Sequence, residues 1–190
     1  MPHVMRLLAL LVMMLATTTS VPARAADWKM DAAASRLEFT ATFERTAAPG
    51  AFRQFDTRLR FEAERPAEGS LEVTVAVNSA DMNSADVNKA IGGAEWFDSA
   101  RFPQAVFQSS DIRRLDANRY LARGKLSLKG VQQQIEVPFT WTQNSEAARM
   151  EGELVVKRGA FGIGTGEWAA TNVIGPDVKI RIDVRLRRGS

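Results

Sequence analysis

The chain has no cysteine, and His3 is its only histidine. Stability must therefore come from a packed core rather than from disulfides. The absence of imidazole and thiol groups beyond residue 3 excludes Ser–His–Asp and Cys–His nucleophilic sites, zinc sites built on His or Cys, and His-ligated haem. Sites that use only carboxylates, such as a calcium site, stay open.

The N-terminal segment has the pattern of a secretory signal peptide. His3 and Arg6 precede the apolar run LLALLVMMLA at 7–16, and Ala23-Arg24-Ala25 forms an A-x-A cleavage site. The run is about half of the ~20 residues that a membrane-spanning helix needs, and no cysteine follows it for lipid attachment. We therefore expect cleavage after Ala25, export to the periplasm, and one mature domain at 26–190.

The charge balance gives little indication of an anionic partner. The formal net charge is +3, and it falls to +1 when Arg6 and Arg24 leave with the signal peptide. A domain so near neutrality lacks the basic field that attracts nucleic acid. We expect no nucleic-acid partner.

Most of the remaining sequence alternates between apolar and polar residues, which is the period of a strand with one buried face. The last strand is the clearest case, because apolar and charged residues alternate strictly over 178–187. The same alternation recurs at 37–43, 55–63, 71–77, 105–109, 120–128, 135–141 and 150–156. About eight strands at even spacing predict an all-β antiparallel sandwich or barrel, and closure without exposed edges favours an eight-stranded barrel.

The alternation breaks once, at about 83–93. Val87 and Ile91 are four residues apart there, Asn83 or Ser84 can cap the start, and Gly92-Gly93 can end the segment. This pattern predicts one short helix near one end of the barrel. The helix leads into Trp96-Phe97, which we expect to close or gate that end.

The aromatic residues indicate a binding cavity. Ten phenylalanines, four tryptophans and one tyrosine lie mostly at inward strand positions or at 95–107, where ordinary core packing would also place them. Small inward residues (Ala41, Ala63, Ala122, Gly124 and Gly152) would leave space between the rings. Binding cavities are largely apolar. The residues predicted to line one are Phe39, Phe43, Phe52, Phe55, Phe61, Trp96, Phe97, Phe107, Leu126, Leu128, Phe139, Trp141 and Phe161.

Other candidate sites are weaker. The glycine-rich segment 159–166 lacks the Lys-Ser/Thr of a phosphate loop and is expected to form a kinked or bulged strand. Arg158 ends an apolar strand, where it can meet a polar head group or pair with an acid. Four acids could in principle form a calcium site or a hydrolytic site: Asp81, Asp86, Asp98 and Asp111. Their spacing does not fit a calcium loop, and we expect their side chains to be solvated.

Several motifs in the same order resemble the YceI-like family of periplasmic polyisoprenoid-binding proteins. They are WKMD at 28–31, SRLEF at 35–39, GAFRQF at 50–55, WFD at 96–98, FPQAVFQS at 102–109, GKLSLKGV at 124–131, and Arg158 with FGI at 161–163 before VKI at 178–180. The segment 44–50 departs from the family, because it is short and lacks a histidine common there in relatives.

The resemblance implies an eight-stranded, lipocalin-like barrel that holds a long isoprenoid lipid of the ubiquinone or polyprenyl type in an apolar tunnel. We expect a carrier that is a monomer or homodimer, contacts a membrane transiently, and needs no catalytic residue, metal or cofactor. Two alternatives stay open. The barrel could be packed solid and serve as a stress-response or interaction module, or it could be an enzyme that uses carboxylates or Tyr120 at the tunnel mouth.

Overall fold

The computed structural model describes residues 25–189, so the predicted signal peptide lies outside the described residues except for Ala25. These residues form eleven strands and one α-helix. The strands are Ala26–Met30 (β1), Arg36–Phe43 (β2), Thr46–Phe52 (β3), Phe55–Phe61 (β4), Ser70–Ala76 (β5), Ala80–Asp81 (β6), Gln104–Asp116 (β7), Arg119–Leu128 (β8), Val131–Gln143 (β9), Ala147–Lys157 (β10) and Asp177–Arg188 (β11). The helix is Ala85–Ile91 (α1).

The strands close into an eight-stranded antiparallel barrel, as the sequence predicted. The strand β11 closes the barrel. One of its edges pairs with β10, and its other edge pairs with both β1 and β2. Three of the eight barrel strands are each broken in two, which accounts for the higher count. β1 and β2 form one of them, β3 and β4 the next, and β5 and β6 the third.

Alternation along each strand decides which residues face the interior. In β4, Thr57, Leu59 and Phe61 are buried, while the residues between them are exposed. Because the barrel has one closed interior, all inward side chains share it. Apolar burial of this kind stabilises the fold by about 25 cal/mol per Å².

Aromatic rings fill the lower half of the barrel, the half in which β1 pairs with β4 and β11. Phe61 is fully buried, and its ring centroid lies 5.0 Å from that of Tyr120 and 5.1 Å from that of Trp141. Trp28 packs on Trp141 at 5.3 Å, and its indole N–H donates to the Phe61 carbonyl. Edge-to-face pairs at these separations are favourable. This ring cluster leaves the lower half closed.

The upper half, where β2 ends and β11 begins, carries α1. The helix is slightly shorter than the predicted 83–93, because Ser84 is its N-cap and Ile91 is its last residue. Ile91 packs on Phe39. Asp81 holds the approach to the helix by accepting hydrogen bonds from the Asn88 side chain, the Asn83 N–H and Arg53. These bonds, that of Asn88 first, lower the pKa of Asp81 to about 2. Asp81 is thus a structural carboxylate.

Two glycines that were expected to spare room in a cavity have another role. A Cβ on Gly124 would meet the Gln108 carbonyl of β7, and a Cβ on Gly152 would meet the Pro138 carbonyl of β9. Both therefore let neighbouring strands approach closely, Gly124 beside a bulge in β7. Ala122 is buried among the lower rings and Ala63 packs against them, so Ala41 alone of the five small residues borders the cavity described below.

The pairing of β9 with β10 is short. It covers Phe139–Gln143 against Ala148–Gly152 and stops there, although both strands continue toward the upper end. Above that point the Gln133 side chain donates to the Ala160 carbonyl. The upper parts of β9 and β10 are thus held mainly by their other neighbours, β8 and β11.

Thr57 provides a test of the packing. Its hydroxyl is buried in β4 and has no hydrogen-bond partner among the described residues. A buried polar group without a partner costs about 1–3 kcal/mol. We expect Thr57→Val to raise the free energy of unfolding by about 1 kcal/mol in urea titrations. Thr57→Ser, which keeps the hydroxyl and loses the methyl group, should lower it, and a destabilised valine variant would contradict this account.

Candidate functional site

The upper half of the barrel encloses a cavity of about 510 Å³. This volume falls within the ~300–1,000 Å³ of small-molecule sites. Its walls are apolar side chains from the barrel strands, from α1 and from the segment 163–174. The alternative of a solidly packed barrel predicts no such space. The interior fits that alternative only in its lower half.

Eight of the thirteen apolar residues predicted to line a cavity do so. Phe39, Phe43 and Phe52 come from the β2–β3 hairpin, and Trp96 and Phe97 come from the segment after α1. The remaining three, on β7 and β8, are Phe107, Leu126 and Leu128. Trp96 and Phe97 therefore lie at the end of the barrel to which the sequence assigned them. That these residues contact a ligand stays a prediction.

The structure does not bring the other five to the cavity. Phe61, Phe139 and Trp141 belong to the ring cluster of the lower half. Phe55 packs in the wall between that cluster and Leu37, and Phe161 is buried in the turn after β10. Alternation identifies the inward face of a strand but not the height of a residue along the barrel axis, which is why these five were misplaced.

Two groups of lining residues were missed. One consists of aliphatic residues whose inward positions the alternation had already indicated: Leu37, Leu71, Val73, Val75, Val77, Ile135, Val137, Leu154, Val156, Val178, Ile180 and Ile182. The other comes from α1 (Val87, Ala90 and Ile91) and from irregular segments (Met82, Ile163, Trp168 and Ile174). The strand residues could have been found from the alternation, and Val87 and Ile91 from their helical spacing, but the residues of the irregular segments follow no period.

Arg158 borders the cavity but has no free donor. Its guanidinium donates five hydrogen bonds, all to backbone carbonyls, at 2.8–3.0 Å. The acceptors are Ile163, Gly164, Trp168, Ile174 and Gly175. Arginine has five N–H donors, so none is left for a ligand.

Both sequence interpretations of Arg158 are therefore wrong. Its side chain neither reaches for a head group nor pairs with an acid. Burial lowers the pKa of Arg158, because the charged form loses solvation. The five carbonyls replace that solvation and fix the segment 163–175 over one side of the cavity.

The glycine-rich segment 159–166 is also corrected. It is not a kinked strand but a 3-10 turn at Arg158–Phe161 followed by a loop, with positive φ at Gly162, Gly164 and Gly166. A Cβ at Gly164 would collide with the Arg158 guanidinium. Glycine is needed there for the backbone to wrap the arginine closely.

Lys129 joins the segments of the upper end. Its ammonium group donates to the Ala94 carbonyl at 2.8 Å and to the Gly162 carbonyl at 2.7 Å. Burial lowers the pKa of Lys129. The Glu95 carbonyl accepts from the N–H groups of Gly164 and Thr165. The β8–β9 turn, the segment after α1 and the segment after β10 thus form one framework.

Two of the residues that border the cavity are exposed to solvent, and we call the opening that they mark the mouth. Phe43, at the tip of the β2–β3 hairpin, and Val87, on α1, both border the cavity and remain exposed. Trp96 and Trp168 lie beside it with ring centroids 5.8 Å apart. Ile174 is bridged to Phe43 through the backbone, which joins the hairpin to the segment after β10.

The cavity wall offers little for catalysis. Among the described residues that line it, the polar side-chain groups are the Thr42 hydroxyl, the Arg158 guanidinium and the indole N–H groups of Trp96 and Trp168, and there is no carboxylate. Tyr120 is buried among the lower rings, where its hydroxyl donates to the Ala63 carbonyl and accepts from Arg114. Within residues 25–189, no group of three acids could hold a metal ion. General acid–base chemistry needs titratable groups at the reacting atoms. The wall does not supply a pair of them.

Among the described residues, no helix is long and apolar enough to cross a bilayer.

The sequence model of the YceI-like domain matches residues 28–186. The chain belongs to the YceI-like family. A UPF0312 protein of Photorhabdus laumondii is 32% identical over 82 residues, which are 43% of this chain and 42% of that protein. A UPF0312 protein of Enterobacter sp. strain 638 is 37% identical over the same extent. The match thus spans less than half the length of these curated relatives.

Solved structures extend the similarity over most of the chain. The crystal structure of BcnA from Burkholderia cenocepacia is 34% identical, covers 82% of this chain and 98% of its own, and has a TM-score of 0.80. A polyisoprenoid-binding domain from Saccharophagus degradans is 17% identical, covers 87% of this chain and 99% of its own, and has a TM-score of 0.69. At that identity the second likeness establishes the fold alone.

The Arg158 network predicts a large loss of stability on substitution. Arg158→Met removes five donors from carbonyls around a buried position, and we expect the free energy of unfolding in urea to fall by about 3 kcal/mol or more. Hydrogen exchange should quicken at 163–175 in particular.

The matched control is Arg123→Met. Arg123 pairs with Glu136 on the outer surface, where both side chains are about half exposed. Such a pair contributes at most about 1 kcal/mol. Equal losses in the two variants would contradict the structural role assigned to Arg158.

Proposed function

We propose that this protein is a non-catalytic periplasmic carrier of a long isoprenoid lipid, of the ubiquinone or polyprenyl type. The observation that carries the proposal is the apolar cavity in the upper half of the barrel, whose wall offers almost only carbon to a ligand. The family relationship supports it, as does the likeness to a domain described as polyisoprenoid-binding.

The cavity selects for a tail rather than for a head group. Polar specificity needs donors or acceptors placed at the ligand. The Arg158 donors are all engaged, which leaves the Thr42 hydroxyl and the indole N–H groups of Trp96 and Trp168 as the polar side-chain groups in the wall. The polar head then stays near the mouth in contact with water, and the chain enters the barrel.

The energetics favour exchange over permanent retention. Transfer of a forty-carbon chain from water, at ~0.8 kcal/mol per methylene, would give about 30 kcal/mol, beyond the ~18–21 kcal/mol reached by non-covalent complexes. A lipid tail starts in a membrane, however, and moving it into an equally apolar cavity changes its free energy little. Net affinity then depends on packing against the rings. This accords with a shuttle that contacts the membrane transiently, as a monomer or homodimer.

The first test is lipid analysis of the protein. Protein purified under native conditions should release an isoprenoid lipid on extraction and mass spectrometry, or take up added ubiquinone after delipidation. Repeated recovery without lipid, together with no uptake of ubiquinone or of a polyprenol, would refute the proposal.

A cavity-filling variant locates the binding site. Leu126 borders the cavity, so Leu126→Trp should occupy part of the volume and weaken uptake of a long-chain isoprenoid by about tenfold or more. Val155→Trp is the matched control, because Val155 is exposed on the outer face of β10. It should bind as the wild type does. If both variants bind normally, the ligand lies elsewhere.

A further inference from the structure

Exposed large apolar side chains are few on this surface, and two of them lie at the mouth. In the part of the chain that the structure describes, the four most exposed are Phe43 at 45%, Val87 at 39%, Leu115 at 43% and Val155 at 57%. Phe43 and Val87 stand on separate elements, the β2–β3 hairpin and α1, and both border the cavity. The apolar surface of the mouth is therefore continuous with the apolar interior.

The mouth also carries partly buried tryptophans. Trp96 and Trp168 pack on one another beside the opening and are neither fully buried nor fully exposed. Tryptophan at the border of apolar and aqueous phases is favourable because its ring is apolar and its N–H is polar. The mouth thus combines exposed aliphatic and aromatic side chains with an interfacial tryptophan pair.

Charge around the mouth shows no basic excess. The hairpin tip has Glu44 beside Arg45, α1 has Asp86 and Lys89, and Glu95 and Glu167 each adjoin one of the two tryptophans. No cluster of lysine or arginine is present to draw the mouth to an anionic surface. Any association at this face must come from apolar contact, and it should respond little to salt.

We propose that the mouth docks on a lipid bilayer through Phe43, Val87 and the Trp96–Trp168 pair, and that docking is apolar rather than electrostatic. This rests on the proposed carrier function and identifies the face by which the barrel meets the membrane. A protein partner seated on these residues would cover the opening through which a ligand passes. A bilayer instead brings hydrocarbon to the opening, and a tail can cross without passing through water.

The experiment measures association of the delipidated protein with phosphatidylcholine vesicles by flotation. The wild type should float with these neutral vesicles, at low and high salt alike. Phe43→Asp and Val87→Asp should each weaken association by about tenfold, since each sets a charge where an apolar group leaves water. Leu115→Asp and Val155→Asp are the matched controls, because they add the same charge to exposed apolar positions away from the mouth, and they should float as the wild type does.

Several results would overturn the proposal. The wild type could stay in the aqueous fraction, or the mouth variants could float as the wild type does. The control variants could lose association equally, or binding could require anionic lipid and disappear at high salt. Gel filtration tests whether a second copy of this chain binds the mouth instead. A wild-type dimer that does not associate with vesicles and that Phe43→Asp converts to a monomer would make the mouth an interface between copies of this chain. Circular dichroism melting confirms that each variant is folded. Lipid extraction separates this test from that of the carrier function, since a protein that holds lipid yet does not float contradicts only the docking face.

Discussion

Closure of the sheet is the constraint on which the rest of the structure depends. Because β11 pairs with β10 on one side and with β1 and β2 on the other, every inward side chain of the eight barrel strands enters one shared interior. The two halves differ in how completely the side chains fill them. Rings meet in the lower half, with Phe61 at their centre, and fill it. Mostly aliphatic residues occupy the strands above, and they leave a cavity of about 510 Å³.

The upper end is held by polar groups that do not face a ligand. Arg158 and Lys129 between them donate seven hydrogen bonds, all to backbone carbonyls of the segments around the mouth. A buried cation is costly unless its donors are satisfied, and here the irregular backbone satisfies them. The carbonyls of Ile163, Trp168 and Ile174, which border the cavity, are thereby engaged within the protein. The cations hold together the segments around the mouth.

The sequence predicted the barrel well because a period of two is a strong signal when one face of each strand is buried. It placed the helix within two residues of its bounds and placed Trp96 and Phe97 at the correct end. It could not separate Phe107, which borders the cavity, from Phe139, which lies among the lower rings, because height along the axis depends on strand register. Register was fixed only by pairing, such as Tyr120 with Phe139.

The role of Arg158 could not be predicted for a related reason. Its hydrogen-bond partners are backbone carbonyls, which every residue has. No pattern of side chains in the sequence therefore indicates which residues surround Arg158. Gly164 was a partial signal, since it is required where the loop approaches the guanidinium. Without the loop path, however, a glycine-rich segment after a strand fits a bulge equally well. The misreading of Gly124 and Gly152 has the same origin, because what a missing Cβ makes room for depends on the neighbouring strand.

The short pairing of β9 with β10 gives the barrel wall a mechanical property. Above Gly152 these strands are not joined by the hydrogen-bond ladder, while each stays anchored to its outer neighbour. Ile135 and Val137 of β9 and Leu154 and Val156 of β10 border the cavity along this line. Widening the barrel wall along this line would therefore break no hydrogen bond of the β9–β10 ladder.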